Sequence, residues 1–231
     1  MNNIVDKILN LYLTYGNANY IGENVSQIDH ALQTASHAEN DKRLDLVDEY
    51  VKNCVIIASL LHDIGHLIYM ENTAHTNINI IINDINDVNV VNDNHNNNIN
   101  RLGNLGIIDH DIIGRNYLKE CGMPVLIYEL VGSHVQAKRY LCTINRHYYD
   151  KLSNASKETM KMQGGLMSLH ELTEFNNSIM PELKVFLREY DDLGKIQQNL
   201  NKMDTGMDTG MGILKYKQKI EKVLSLNRVF H

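Results

Sequence analysis

The 231-residue chain has few of the residues that interrupt helices or crosslink a fold. It contains two prolines, three cysteines and no tryptophan. Proline in a helix interior removes a backbone hydrogen bond and clashes with the preceding turn, so two prolines leave room for long helices. The cysteines, Cys54, Cys121 and Cys142, are odd in number and widely spaced, which argues against a disulfide framework and a zinc knuckle. They favour a reducing compartment.

The chain also lacks an excess of positive charge and a long apolar run. Lysine and arginine total 22 against 28 acidic residues, a net charge of −6. This charge gives no basic field that would attract nucleic acid or an anionic membrane. No apolar run approaches the ~18 residues of a membrane span, and the first residues carry no basic leader. The sequence predicts a cytoplasmic protein with a small-molecule partner, no nucleic-acid or membrane partner, and an unknown oligomeric state.

Apolar residues recur at helical spacing through most of the chain. Ile4, Ile8 and Leu11 form one such stripe, and a denser one runs through residues 46–61. Alternation with a period of two, which would indicate strands, is nearly absent. Apolar residues make up 43% of the chain, enough for one sizeable core. We predict an all-α fold, a single helical-bundle domain over residues 1–231.

Two segments are compositionally biased instead. Residues 72–104 contain 13 asparagines among 33 positions, with isoleucine and valine interspersed. This bias predicts a disordered insertion that loops out of the bundle. Residues 203–212 contain the repeat Met-Asp-Thr-Gly and predict a turn-rich linker before a C-terminal helix.

The strongest chemical signal is the pair His62-Asp63 at the end of the apolar helical stretch. A buried ionised carboxylate must be paired or coordinated, and imidazole is a common metal ligand. Further candidate ligands lie on other predicted helices: His30, His110, His134 and Asp191. Helical bundles assemble such sites in their cores, and nitrogen and oxygen ligands suit iron or manganese. Six other histidines are predicted to be solvated or structural: His37, His75, His95, His147, His170 and His231.

In chain order, His30, the doublet His62-Asp63 and Asp191 resemble the metal ligands of the HD-domain superfamily, in which a His, a His-Asp pair and a late Asp lie on separate helices. His110 and His134 look like the additions of its two-metal form. Most members resemble phosphohydrolases that act on nucleotides, and a minority are diiron oxygenases. The superfamily resemblance therefore leaves the reaction open.

Other motifs resemble the PhnZ-type phosphonate oxygenases over about residues 20–195. They are Tyr20-Ile-Gly-Glu23, His62-Asp-Ile-Gly-His66, His134-Val-Gln-Ala-Lys138, Leu152-Ser-x-x-Ser156 and Gln163-Gly-Gly165. The resemblance implies a mixed-valent Fe2+/Fe3+ centre that uses dioxygen as co-substrate. It further implies cleavage of the carbon–phosphorus bond of a 1-hydroxyalkylphosphonate, which releases phosphate and a carboxylate. The related inositol oxygenase has Lys in the place of His66, so His66 points to an organophosphonate substrate.

The resemblance also implies roles for individual residues. One iron would be held by His30, His62, Asp63 and Asp191, and the other by Asp63, His110 and His134, with Asp63 as the bridge. Tyr20 and Glu23 match a pair that occupies an open coordination position until substrate binds, and they are predicted to be catalytic together with Lys138. The phosphonate would be bound by His66, Lys138, Ser156, Gln163 and Arg188. Cations and hydrogen-bond donors are what a dianionic headgroup requires.

Two other functions are compatible with these residues. The first is a metal-dependent HD phosphohydrolase, in which the metal activates water against a nucleotide or phosphomonoester. The second is a catalytically silent module that binds a phosphorylated ligand and regulates a partner. Oxygen dependence separates the oxygenase from the hydrolase, and metal content separates both from the silent module.

Overall fold

The computed structural model describes residues 4–20, 23–86, 107–195 and 209–227, with the side chains of 76–86 and 209 excepted. Those ranges contain thirteen α-helices and a short 3-10 helix at Lys42–Leu46. The α-helices are α1 (Ile4–Tyr15), α2 (Gln27–Asn40), α3 (Glu49–Leu61), α4 (Ile64–Asn86), α5 (His110–Glu120), α6 (Val125–Val131), α7 (His134–Ile144), α8 (Arg146–Lys151), α9 (Asn154–Met162), α10 (Leu169–Asn176), α11 (Pro181–Leu193), α12 (Thr209–Leu214) and α13 (Lys217–Asn227).

The predicted all-α fold is confirmed. Across the described ranges the backbone forms no β-strand, and an isolated antiparallel bridge joins Asn19 and Ser26. One continuous cluster of buried apolar side chains extends from Val5 on α1 to Leu224 on α13. The assignment of the whole chain to one domain stays a prediction.

Helix α3 lies at the centre of the bundle because its sequence is apolar on nearly every side. Residues 53–61 are all buried, and the helix packs against α2, α6, α11 and α13. Its N-terminus is capped by Asp48, whose carboxylate accepts a hydrogen bond from the Tyr50 backbone N–H at 2.8 Å. Because α3 is buried along its length, its C-terminal end carries His62 and Asp63 into the interior.

Helices α2 and α11 pack beside α3 and against each other. Ser26 caps α2 by accepting from the Asp29 backbone N–H at 3.1 Å. Pro181 lies in the first turn of α11, where its missing N–H costs no hydrogen bond. Each helix buries one face, so the polar side chains on those faces, His30 and Asp191, are directed inward.

Helix α4 continues into the segment that the sequence predicted to loop out. It runs to Asn86, so residues 72–86 are helical where the sequence predicted disorder, while residues 87–104 lie outside the described residues. The insertion itself stays a prediction. No proline or glycine interrupts residues 66–102, and asparagine and isoleucine cost a helix well under ~1 kcal/mol each. Similarly, residues 209–212 belong to α12, so the predicted linker does not extend to residue 212. Residues 203–208 are outside the described ranges.

No single helix in the described part of the chain is long and apolar enough to cross a membrane. Only Glu49–Leu61 and Ile64–His75 together, joined by a 44° bend, reach that length and composition.

Candidate metal centre

Six buried side chains from distant parts of the chain converge at the end of α3. His30 projects from α2, His110 and His134 begin α5 and α7, and Asp191 lies on α11. His62 and Asp63 occupy the break between α3 and α4. The structure therefore brings together all six predicted metal ligands, which are His30, His62, Asp63, His110, His134 and Asp191.

A backbone carbonyl orients each of the four imidazoles. The Nδ1-to-oxygen distances are 3.0 Å from His30 to Gly194, 2.8 Å from His62 to Ser59, 2.9 Å from His110 to Ile107 and 2.7 Å from His134 to Val131. A carbonyl only accepts, so each Nδ1 must donate and each Nε2 presents a lone pair to the interior. Metal-ligating histidines commonly have their second nitrogen held in this way.

The four Nε2 atoms face one another in two pairs. The distance is 3.0 Å between His30 and His62 and also 3.0 Å between His110 and His134. Two imidazoles that both donate through Nδ1 cannot hydrogen-bond to each other through Nε2, because both atoms are acceptors. Each pair therefore requires a proton or another cation near the two nitrogens.

Asp63 lies between the two histidine pairs. Its Oδ2 is 3.2 Å from His62 Nε2 and 3.5 Å from His30 Nε2. Its Oδ1 is 3.3 Å from His110 Nε2 and 3.4 Å from His134 Nε2. Asp63 Oδ2 is buried and receives no hydrogen bond from the part of the chain that the structure describes, which is costly for a carboxylate unless a cation neutralises it.

Asp191 adds a second carboxylate to the first pair only. Its Oδ1 lies 3.4 Å from His30 Nε2 and 3.9 Å from His62 Nε2. Burial lowers the pKa of His30, but Asp191 and Asp63 outweigh that effect and raise it to about 9. Burial also raises the pKa of Asp63, yet His62 and the other histidines hold it well below its ordinary value. The site therefore favours positive charge.

The donor set fits two cations that share Asp63. The first would contact His30, His62, Asp63 Oδ2 and Asp191 Oδ1, and the second would contact the remaining oxygen of Asp63 with His110 and His134. His66 lies beside the second position, with its ring stacked on that of His110 at 4.2 Å. His66, Asp63 and His110 also have ligand atoms within reach of one common ion. The geometry thus allows His66 to serve as a further ligand or as a contact to bound substrate.

A cavity of about 60 Å³ opens onto the metal centre. Three cationic side chains, Lys138, Arg188 and Lys195, line it together with polar groups of α9. All residues predicted to bind the phosphonate or to act in catalysis lie on its wall: Tyr20, Glu23, His66, Lys138, Ser156, Gln163 and Arg188. Their roles stay predictions, but their proximity to the metal centre is a property of the structure.

Lys138 is a buried amine one turn beyond His134 on α7, with 5% of its surface exposed. Its Nζ donates to Gln163 Oε1 at 2.6 Å and to Thr159 Oγ1 at 3.1 Å. Burial, together with the nearby cations Arg188 and Lys195, lowers the pKa of Lys138 to about 7. The ammonium and the neutral amine forms of Lys138 are therefore present in similar amounts near neutral pH.

Tyr20 and Glu23 approach the centre from the turn before α2. The Glu23 backbone N–H donates to the Tyr20 carbonyl at 3.2 Å. The Tyr20 ring lies 4.1 Å from the His30 ring. Burial raises the pKa of the Tyr20 hydroxyl well above its ordinary value, and Asp63 and Asp191 raise it further. Tyr20 is therefore a neutral phenol beside the first ligand set.

Ser156 is not a helix cap. Ser153 caps α9, and its Oγ accepts from the Ser156 backbone N–H at 3.2 Å, so the Ser156 side chain is available to line the cavity. The sequence reasoning missed Thr159 and Lys195, which also line it. Thr159 lies three residues after Ser156 and Lys195 lies four after Asp191. Helical spacing from those two predicted residues could have found both.

The other histidines lie away from the centre where they are described. His75, His147 and His170 are exposed, and His170 pairs with Glu174 at 3.4 Å. His37 is half-buried on α2. His95 and His231 lie outside the described residues.

The helical bundle and the buried His-Asp doublet define the class as an HD-domain protein. No protein-family model matches the chain. The chain is 35% identical, over 83% of its length, to an uncharacterised protein of Acanthamoeba polyphaga mimivirus, of which the match covers 73%. It is 30% identical to the hydroxymethylphosphonate dioxygenase of Gimesia maris, over 84% of the chain and 79% of the relative.

The chain is also 30% identical to the glycine-betaine-forming 1-hydroxy-2-(trimethylamino)ethylphosphonate dioxygenase of Leisingera caerulea, over 84% of the chain and 81% of that protein. The chain therefore belongs to the family of PhnZ-type phosphonate dioxygenases within the HD-domain superfamily, as its motifs predicted, and it is an oxygenase. This membership favours the oxygenase over the phosphohydrolase and the silent module.

Proposed function

We propose that the chain is a mixed-valent diiron oxygenase that cleaves the carbon–phosphorus bond of a 1-hydroxyalkylphosphonate. The products would be inorganic phosphate and a carboxylate. One dioxygen molecule balances this reaction, because carbon 1 and phosphorus each gain one oxygen atom and one proton is released. The substrates in the names of the two dioxygenase relatives share a hydroxyl group on the carbon bonded to phosphorus.

The observation that carries the proposal is the position of Asp63. Each of its two oxygens faces a different pair of histidine Nε2 atoms, at 3.2–3.5 Å. A single-metal hydrolase needs only the first pair with Asp191. The nitrogen and oxygen donor set suits iron, and iron bound there would supply the redox chemistry that dioxygen requires.

The protein's own contribution would be to bind and orient the phosphonate. Lys138, Arg188 and Lys195 place three amine or guanidinium groups around a small cavity, and their N–H groups can donate to the oxygens of a dianion. Ser156, Thr159 and Gln163 add hydroxyl and amide groups on one side. The headgroup would thereby be held beside the metal centre, with carbon 1 directed towards it.

Tyr20 and Glu23 are proposed to guard the first metal position until substrate arrives. The support is that the Tyr20 ring packs on His30 while Glu23 lines both the cavity and an adjoining outer pocket. Substrate that enters through the outer pocket would displace this pair. Protection of the metal from oxidation in the absence of substrate would follow.

Iron loading followed by phosphate measurement tests the function. Protein loaded anaerobically with iron should contain two irons per chain and release phosphate from hydroxymethylphosphonate only when oxygen is added. His62→Ala should lose metal and activity together, whereas His170→Ala, an exposed histidine, should keep both. Phosphate release from nucleotides or phosphomonoesters under nitrogen, with manganese or magnesium, would support the hydrolase instead.

A further inference from the structure

Protein groups hold all three nitrogens of the Arg188 guanidinium. The side chain is buried, with 3% of the residue exposed, and it lines the cavity at the metal centre. Nη1 donates to Asp191 Oδ2 at 2.5 Å and Nη2 donates to Asp192 Oδ1. Nε donates to Tyr148 Oη at 3.0 Å and, at a longer 3.3 Å, to Asp192 Oδ2. Guanidinium has five N–H groups, so two remain for another acceptor.

Tyr148 and Asp192 also bind each other behind Arg188. The Tyr148 hydroxyl donates to Asp192 Oδ2 at 2.5 Å, and this bond joins α8 to α11. Lys195 completes the group, with its Nζ 3.1 Å from Asp191 Oδ1 and 3.5 Å from Asp192 Oδ1. Two cations thus face two carboxylates, and one aromatic hydroxyl from a different helix holds the arrangement together.

The positions of Tyr148 and Asp192 separate them from direct contact with a bound anion. Neither Tyr148 nor Asp192 is among the described residues that line the cavity. Both line the adjoining outer pocket of about 350 Å³. Through contacts, they can therefore act on an anion in the cavity only by way of Arg188 or Lys195, while the charge of Asp192 also raises the pKa of Lys138. An arginine that is already held in its binding conformation loses less entropy when it binds its ligand.

We propose that Tyr148 and Asp192 are positioning residues for the anion site. They hold the Arg188 guanidinium so that it contacts Asp191 on one side and keeps two N–H groups for the oxygens of the anion. The identity of that anion as a phosphonate rests on the proposed function. Neither residue was singled out by the sequence motifs, and α8, which carries Tyr148, contributes no residue to the described lining of the cavity.

The test is a binding measurement that does not need turnover. Methylphosphonate lacks the 1-hydroxyl group and serves as the probe, titrated calorimetrically into iron-loaded protein without oxygen. Tyr148→Phe should raise the Kd by about tenfold, the effect of one hydrogen bond to a charged group, with two irons still bound. Tyr149→Phe is the matched control, since it removes a hydroxyl from the neighbouring tyrosine of the same helix, and its Kd should equal that of the wild type.

Asp192→Asn separates positioning from simple electrostatics. The titration is made at pH 6 or below, so that Lys138 stays protonated although Asp192 no longer raises its pKa. Under that condition, removal of a negative charge near the site should tighten anion binding if only charge matters, whereas loss of the contact that holds Arg188 should weaken it. We expect weaker binding with unchanged iron content. Tighter binding by Asp192→Asn, or an unchanged Kd for Tyr148→Phe, would overturn the proposal.

Loss of iron in parallel with loss of affinity would also overturn it, because the network would then serve the metal centre or the fold. Failure of the proposed function looks different. Wild-type protein that binds methylphosphonate but releases no phosphate from hydroxyphosphonates would refute the reaction and leave the positioning test valid. Iron-loaded wild-type protein that binds no methylphosphonate, yet releases phosphate from hydroxymethylphosphonate, would refute the positioning proposal and leave the reaction standing.

Discussion

Lys138 is the residue through which we expect pH to act on substrate binding. Its pKa is lowered to about 7 by burial and by the nearby cations. Below that pH the amine carries the charge that an anion requires, and this charge is lost as the pH rises through about 7. We predict that kcat/KM for hydroxymethylphosphonate falls above pH ~7. A bound dianion favours the ammonium form, so kcat should persist to higher pH than kcat/KM.

The Lys138→Arg variant tests whether the deprotonation of Lys138 causes the fall of kcat/KM above pH ~7. Arginine stays protonated throughout the accessible range, so the decline of kcat/KM above neutral pH should disappear even if the maximal rate is lower. Lys184→Arg is the matched control. Lys184 is also buried, its pKa is also lowered by burial, and it donates to Ser178 away from the cavity. A decline that persists in Lys138→Arg would mean that another group titrates.

Asp63 is the residue on which the two-metal interpretation depends. Asparagine has one side-chain oxygen, so the Asp63→Asn variant can offer a ligand oxygen to only one histidine pair. Its NH2 group, which cannot bind a metal, must face the other pair. We predict that the variant binds at most one iron per chain. Activity should fall by more than the roughly 10–100-fold that loss of an outer partner of a metal ligand usually causes. Asp45→Asn, at an exposed carboxylate paired with Lys52, is the control. Two irons retained by Asp63→Asn would exclude a bridging role.

At the scale of helices, α4 and α5 cross at Gly65, directly behind the second ligand set. A Cβ on Gly65 would overlap the His110 carbonyl oxygen and lie 2.7 Å from its carbonyl carbon. Gly65→Ala should displace the start of α5, release the iron bound through His110 and cost about 1–3 kcal/mol of unfolding free energy. The first iron should remain. Elemental analysis with urea unfolding checks both effects.

Gly194, at the end of α11, leaves room for the first ligand set as Gly65 does for the second. Its carbonyl accepts from His30 Nδ1 at 3.0 Å, and a Cβ there would overlap Thr34 Oγ1 and lie 3.2 Å from that nitrogen. Gly194→Ala should therefore weaken iron at the first position, by about 10–100-fold. Gly122→Ala is the control for both glycine variants. Its φ of +74° strains alanine by about 1 kcal/mol, but nothing lies within 4 Å of the new Cβ and both irons should stay.

The helices and the His62-Asp63 doublet could be predicted from local sequence, whereas the convergence of distant ligands on one site could not. Nine buried residues in α3 follow directly from its continuous apolar run. The convergence of His30 with Asp191 depends on contacts between residues about 160 positions apart, and only the family resemblance supplied it. The asparagine-rich composition predicts a loop from residue 72, whereas α4 continues to Asn86, because the helix penalty of each such residue is small. Tyr148 carried no signal, since its partners lie on α11.

At the scale of the whole molecule, the metal centre ties together five parts of the chain that are otherwise held by apolar packing. Ligands from α2, α5, α7, α11 and the α3–α4 break would be joined by the two ions. An ion that binds only the folded chain stabilises it by about 2.7 kcal/mol at 100 times its Kd. Two such sites correspond to about 5 kcal/mol, or roughly 10–20 °C in melting temperature for a chain of this size.

We therefore predict that chelation of iron lowers the melting temperature by about this amount, measured by calorimetry on loaded and chelator-treated protein. The double variant His62→Ala and His134→Ala lacks a ligand of each ion and should bind no iron, so it controls for direct effects of the chelator and should melt at the same temperature with and without it. Restoration of iron should restore the wild-type value, because the imidazoles are held in place by backbone carbonyls even without the ion. A wild-type melting temperature that does not change when both irons are removed would mean that apolar packing alone holds the bundle together, and that the ions contribute to chemistry without contributing to the fold.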